Sequence, residues 1–177
     1  MRIILAAALI AMPGLAFAAG GGSEAAPKPT KTSKDCKGVR VWDIGKQRCV
    51  KPKQSSLDEQ GLYEAVRELA YAGRYHDAQG VLAAMPDQKD DRVLTYYGFT
   101  NRKLGDLDTA MMFYTAALDQ NPDNMLARSY MGQGMIEAGD IEGARLQLAE
   151  IETRGGGYTW AGTSLRKAIY VGKTYNY

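Results

Sequence analysis

Apolar residues recur at helical spacing on both sides of three glycines. Before Gly73 stand Leu62, Val66, Leu69 and Ala70, and after it Ala78, Leu82 and Met85. Before Gly105 stand Leu94, Tyr97, Gly98 and Leu104, and after it Ala110, Phe113, Tyr114, Ala117 and Leu118. Around Gly139 the sets are Met131, Met135 and Ala138, then Ala144, Leu148 and Ile151. Steps of three and four residues put each set on one helix face, so each glycine is predicted to join two helices. The glycines lie 32 and 34 residues apart, and each precedes an alanine by five positions. This is the signature of a repeated helix–turn–helix unit. Another helical pattern, Thr159 to Val171, carries Trp160, Leu165, Ala168 and Ile169 as its apolar positions. In a stacked array such a helix covers the last pair, with Arg166 and Lys167 on its polar side. Upstream the period changes to two. Val39–Trp42 and Gln47–Val50 read as short strands around a turn at Asp43–Lys46.

The residues at the boundaries fit these elements. Glycine at the turn accepts a positive φ, and Asp106 and Asp140, directly after two of the glycines, are placed to cap the following helices. Small residues Gly98, Gly132, Ala78, Ala110 and Ala144 allow close helix approach, with Tyr114, Leu82 and Leu148 filling the space beside them. Asn121-Pro122 stops a helix, and Ser56-Leu57-Asp58-Glu59 has the form of a capping box that starts the array.

The middle unit, Asp91 to Asn124, resembles the tetratricopeptide repeat family: Leu94, Tyr97, Gly98, Gly105, Ala110, Tyr114, Ala117 and Pro122 stand at the family's spacings over 34 residues. The third unit resembles it through Met131, Gly132, Gly139, Ala144 and Leu148, with Gly156 at the proline position. The first has Val66 in place of the small residue. The resemblance implies an all-α array of three helix pairs over 57–158, in units of about 59–90, 91–124 and 125–158, with a covering helix and tail over 159–177. It also implies a concave groove lined by the first helix of each pair. Register places Tyr63, Arg67 and Tyr71 there, then Arg92, Thr95, Phe99, Arg102 and Lys103, then Ser129 and Gln133, with Leu126 and Ile136 shared between groove and covering helix. Family members that clamp a terminal carboxylate use Lys, Asn and Arg at positions held here by Tyr63, Arg67, Tyr96, Leu126 and Tyr130, so that clamp is not reproduced. The implied function is a non-catalytic adaptor or scaffold that holds a protein or peptide segment.

Charge divides the chain. The formal +2 combines Arg2 near the start, a basic stretch, 19–56, having nine Lys/Arg against three Asp/Glu, and an acidic stretch, 57–177, having twelve against seventeen. Arg2, the apolar run Ile3–Met12 and Ala16-Phe17-Ala18 form a secretion signal with expected cleavage after Ala18. The run is too short to span a bilayer, which takes about 20 residues. Export makes the expected location periplasmic in a Gram-negative source and secreted otherwise, and an oxidising compartment favours a Cys36–Cys49 disulfide stapling the segment 35–53. Residues 19–34, rich in Gly, Pro and Lys, are expected to be a disordered linker. Leader, stapled basic arm and repeats together are similar to exported tetratricopeptide proteins of Gram-negative bacteria.

Little catalytic chemistry is available. His76 is the only histidine, and it starts a second helix beside Asp77, so no Ser/His/Asp triad can be assembled. The cysteines have no metal-ligand spacing, and Gly132-Gln133-Gly134 lies inside a helical pattern rather than in a phosphate loop. No cofactor, metal or catalytic residue is expected. Nucleic acid is disfavoured by export and the acidic body. The second functional reading is an anionic envelope polymer, such as peptidoglycan, or a membrane surface bound through Lys37, Arg40, Trp42, Lys46 and Arg48. The alternative for the arm is that it folds back on its own acidic domain. Monomer is the default state.

Overall fold

The structure is a computed structural model and describes residues 26–175. The expected leader, 1–18, and the first part of the linker lie outside the described residues. Three helix pairs follow one another: α2 (Glu59–Tyr71) with α3 (Tyr75–Leu82), α4 (Asp91–Lys103) with α5 (Leu107–Gln120), and α6 (Met125–Glu137) with α7 (Ile141–Thr153). The covering helix α8 (Trp160–Val171) packs on α6 and α7. Ahead of the array come a short helix α1 (Lys31–Lys34), strands β1 (Val41–Asp43) and β2 (Arg48–Val50), and a 3₁₀ turn, Pro52–Gln54.

The turns follow the sequence chemistry. Gly73, Gly105 and Gly139 have φ of +76°, +91° and +83°, the left-handed region that glycine enters without a Cβ penalty. Asp106 accepts from the Thr109 N–H and Asp140 from the Gly143 N–H, capping α5 and α7. At the start of the array the expectation needs correcting. The cap of α2 is Asp58, accepting from the Gly61 N–H at 2.8 Å, whereas Ser56 turns away to the Asp43 carboxylate. Inside the middle pair, a Cβ at Gly98 would stand 2.5 Å from the Tyr114 ring, so only glycine lets α4 and α5 meet at this point. Gly132 plays the same part beneath Leu165 of α8.

The arm is built into the body. β1 and β2 pair antiparallel, Val41 opposite Val50 and Trp42 opposite Cys49, and the Cys36–Cys49 disulfide is present. Val41 and Val50 join Leu62, Val66, Leu69, Val81 and Leu82 in one core. The linker expectation does not hold at Thr30–Lys34. The four residues of α1 are held from both ends by the repeat beneath them. Glu68 of α2 accepts from the N–H groups of Thr30 and Ser33 and from the Thr30 hydroxyl, at 2.6 to 2.9 Å. Arg74 donates to the carbonyls of Cys36 and Gly38 at 2.8 and 3.0 Å. A carboxylate at the N-terminal end and a guanidinium at the C-terminal end satisfy the backbone groups that so short a helix leaves open.

Candidate ligand-binding groove

Each first helix puts an aromatic residue where it meets the next one. Tyr63 of α2 meets Tyr96 of α4 with ring centroids 5.6 Å apart, Phe99 of α4 meets Tyr130 of α6 at 4.7 Å, and Tyr130 meets Trp160 of α8 at 5.9 Å. Edge-on and tilted contacts of this kind add about 0.5–1.5 kcal/mol each beyond area burial. The result is a continuous aromatic seam along the first helices.

This seam revises the expected groove. Of the ten side chains assigned to its lining, Tyr63, Arg67, Thr95, Phe99, Arg102, Ser129 and Gln133 are buried. The reason is contact between neighbouring first helices and with α8. Phe99 is surrounded by Tyr75, Tyr96 and Tyr130. Thr95 donates to the Asp91 carbonyl and accepts from Asn124. Ser129 donates to the Ala161 carbonyl of α8 at 2.8 Å. Leu126 packs on the aromatic core with Trp160, and Ile136 on the smaller core of Ala144, Ile151 and Leu165. Tyr71 is exposed, while Arg92 and Lys103 are half-buried. Arg92 is already engaged, donating to Asp90 and Glu59 and lying over the Tyr63 ring.

The α4–α6 part of the seam carries charge and spare hydrogen-bonding capacity. Arg102 donates through Nη1 to Glu137 at 2.6 Å and lies 5.9 Å from the centroid of Tyr130, while its buried Nε and Nη2 have no acceptor. Buried Gln133 has an Nε2 with no acceptor either. Tyr130, Gln133 and Glu137 sit at spacings of three and four on α6 and so share a face. An unmet buried donor costs about 1–3 kcal/mol, which an acceptor brought by a ligand would recover. Burial pushes the Lys103 ammonium to lower pKa, Arg102 beside it acts the same way, and Glu137 opposes both. Burial likewise pushes the Tyr114 phenol upward, with Arg102 pulling the other way.

The segment after α8 reaches this face, which no sequence pattern had indicated. The Tyr175 N–H donates to Gln133 Oε1 at 2.7 Å, the Thr174 hydroxyl donates to Glu137 Oε1 at 2.7 Å, and Lys167 stands 4.6 Å over the Tyr175 ring. Gln133 thus accepts from a backbone N–H of a segment without helix or strand.

In the basic arm, Lys37, Arg40, Lys46 and Arg48 are exposed, while Trp42 is half-buried beneath Lys31, whose Nζ is 4.1 Å from the ring centroid. Asp43 is fully buried. Burial pushes its carboxyl to higher pKa, but the N–H groups of Lys46 and Ser56 and the Ser56 hydroxyl outweigh that and hold it below the usual carboxylate range. Among the described residues there is no group of His, Cys, Asp and Glu able to hold a metal ion, and no helix is long and apolar enough to cross a membrane.

Three helix pairs in register with a covering helix define a TPR-like α-hairpin repeat protein. Residues 102–155, from the end of α4 through α7, match the model of the family described as Tetratricopeptide repeat. No curated protein and no solved structure matches the chain. Repeats of this family mediate protein–protein interaction and are typically non-catalytic. The disulfide is consistent with an oxidising, exported location.

Proposed function

We propose that the chain is a non-catalytic interaction module of the cell envelope that holds an extended protein segment along the α4–α6 seam. The observation that carries this reading is the bond from the Tyr175 N–H to Gln133 Oε1. A stretch of polypeptide without helix or strand already lies on the face where Arg102 and Gln133 keep buried donors unmet. A partner segment would displace it, offer the same backbone N–H to Gln133, and add carbonyl or carboxylate acceptors for Arg102. Lys103, whose side chain is half-buried beside Phe99, would favour acidic residues in that segment. In this reading the leader exports the chain, and the Cys36–Cys49 disulfide fits the oxidising periplasm.

A photo-cross-linking residue in place of Lys103, compared with one in place of exposed Met112 on α5, tests the proposal in intact cells. Adducts to another protein should form at 103, should be few at 112, and should increase when residues 173–177 are removed. Absence of adducts at 103, or equal yields at both positions, would sink the groove reading.

A further inference from the structure

We infer that a cleft between the stapled hairpin and α3 is a second docking site, for an acidic polypeptide segment that inserts one apolar side chain. This site is separate from the α4–α6 seam and does not depend on it. The cleft has a volume of about 470 Å³, within the range of about 300–1,000 Å³ common for ligand pockets. Its walls are Val39, Pro52 and the run Gly80, Ala83, Ala84 at the end of α3, and Lys51, Lys53 and Gln54 also line it.

The sequence of α3 hollows this surface. Ala83 and Ala84 lie three and four positions after Gly80, so one face of the helix end presents almost no side chain. The space is closely shaped, since a Cβ at Gly80 would stand 2.5 Å from both Val39 Cγ atoms. Val39 is nevertheless 40% exposed, an apolar wall left facing water. It lies inside the loop closed by Cys36 and Cys49, so the wall is covalently fixed before any partner arrives. Fixing a wall in advance lowers the ordering cost of binding.

Charge selects the partner. From Lys37 to Lys53 there are six Lys/Arg, all exposed, and one carboxylate, Asp43, which is buried and bonded to Lys46 and Ser56. Lys51 and Lys53 make no ion pair among the described residues. Two exposed cations at an apolar recess complement an acidic segment with a Leu- or Phe-sized anchor. A charged polymer would use the lysines and leave the recess empty. A membrane would need apolar groups that protrude, and here they line a hollow.

The test is fluorescence anisotropy of the purified protein with a labelled Asp-Glu-Asp-Leu-Glu-Asp-Glu peptide and with its Leu-to-Ala counterpart. The Leu peptide should bind at least about tenfold more tightly than the Ala peptide. Lys51→Glu with Lys53→Glu, on the exposed rim, should weaken the Leu peptide by at least about tenfold while leaving the circular dichroism spectrum unchanged. Ala84→Glu should do the same by placing a carboxylate in the recess, and Lys103→Glu should leave binding unchanged, separating this site from the groove. Absence of binding, equal binding of the two peptides, or indifference to the rim substitutions overturns the proposal. So does tighter binding to phosphatidylglycerol vesicles than to the peptide, which would assign the surface to a membrane.

Discussion

Replacing Gly98 by alanine tests the contact that sets the spacing within the middle repeat. The new Cβ would meet three atoms of the Tyr114 ring at 2.5, 2.6 and 3.0 Å, where carbon atoms normally rest about 3.5–4.0 Å apart. Relief needs a movement of about 1 Å, and Tyr114 has no exposed surface into which to move. Overpacking of a closed core costs about 1–3 kcal/mol. Alanine returns about 1 kcal/mol of helix propensity over glycine, so the net loss should be about 0–2 kcal/mol, or up to about 8 °C in Tm for a chain of this size. Urea unfolding followed by circular dichroism measures it. In a Tyr114→Leu background the clash is removed, and Gly98→Ala should become neutral or stabilising. Gly105→Ala is the control: its φ of +91° makes it costly, but a Cβ there meets nothing within 4 Å. Its cost should therefore be the same in both backgrounds. If Gly98→Ala and Tyr114→Leu prove additive within about 0.5 kcal/mol, the two residues are not coupled and the reasoning fails.

Replacing both cysteines by serine opens a loop with a sequence separation of 13; the midpoint of urea unfolding should fall by the equivalent of about 3 kcal/mol, and an unchanged midpoint would show that docking alone holds the arm. Asp43 titrates below its ordinary value in the folded chain, so its contribution is complete above about pH 4 and is lost as pH falls through the lower folded value. Amide protection factors at Val41 and Val50, each taken against the unfolded rate at the same pH, should fall in that acid window, and Asp43→Asn should remove the dependence; protection that fell toward alkaline pH instead would contradict the sign. Glu68→Ala leaves the Thr30 and Ser33 N–H groups without their acceptor, and their exchange should quicken by about 5- to 150-fold, equivalent to about 1–3 kcal/mol; unchanged protection would mean that α1 is held by other contacts.

The fold was legible where local rules and repetition agree. Gly105, Asp106, Ala110 and Tyr114 specify a turn, a cap, a close approach and a filler within ten residues, and the 34-residue return shows that the coincidence is structural. α1 was not legible: Lys31-Thr32-Ser33-Lys34 has no apolar periodicity, and its helix depends on Glu68 and Arg74, 34 or more residues away. The array start misled because Ser56 and Asp58 are both acceptable caps, and only the buried Asp43 carboxylate decides between them. Register identified the side chains of the first helices correctly but could not give their exposure. Tyr96, Phe99 and Tyr130 are large enough to close the space between successive helices, so positions that face solvent in a wider superhelix are here enclosed.

The arm also explains how a degenerate first repeat can stand at the end of an array. A stacked repeat normally hides its apolar face against a neighbour, and terminal units need a cover that is polar outside. α8 supplies this at one end, with Leu165 and Ala168 inward and Arg166 and Lys167 outward. At the other end only the four-residue α1 and the hairpin precede α2 among the described residues, and Val41 and Val50 of the hairpin enter the core beside Leu62 and Val66. The bonds that position the hairpin cross the charge division: basic-arm backbone to Glu68, and Arg74 to arm carbonyls. Apart from the +1 of Arg2, the net charge of +2 is the small difference between two oppositely charged stretches that meet in the fold, and the cations left over, Lys51 and Lys53 among them, face outward because the arm's inward-facing groups are already bonded to the body.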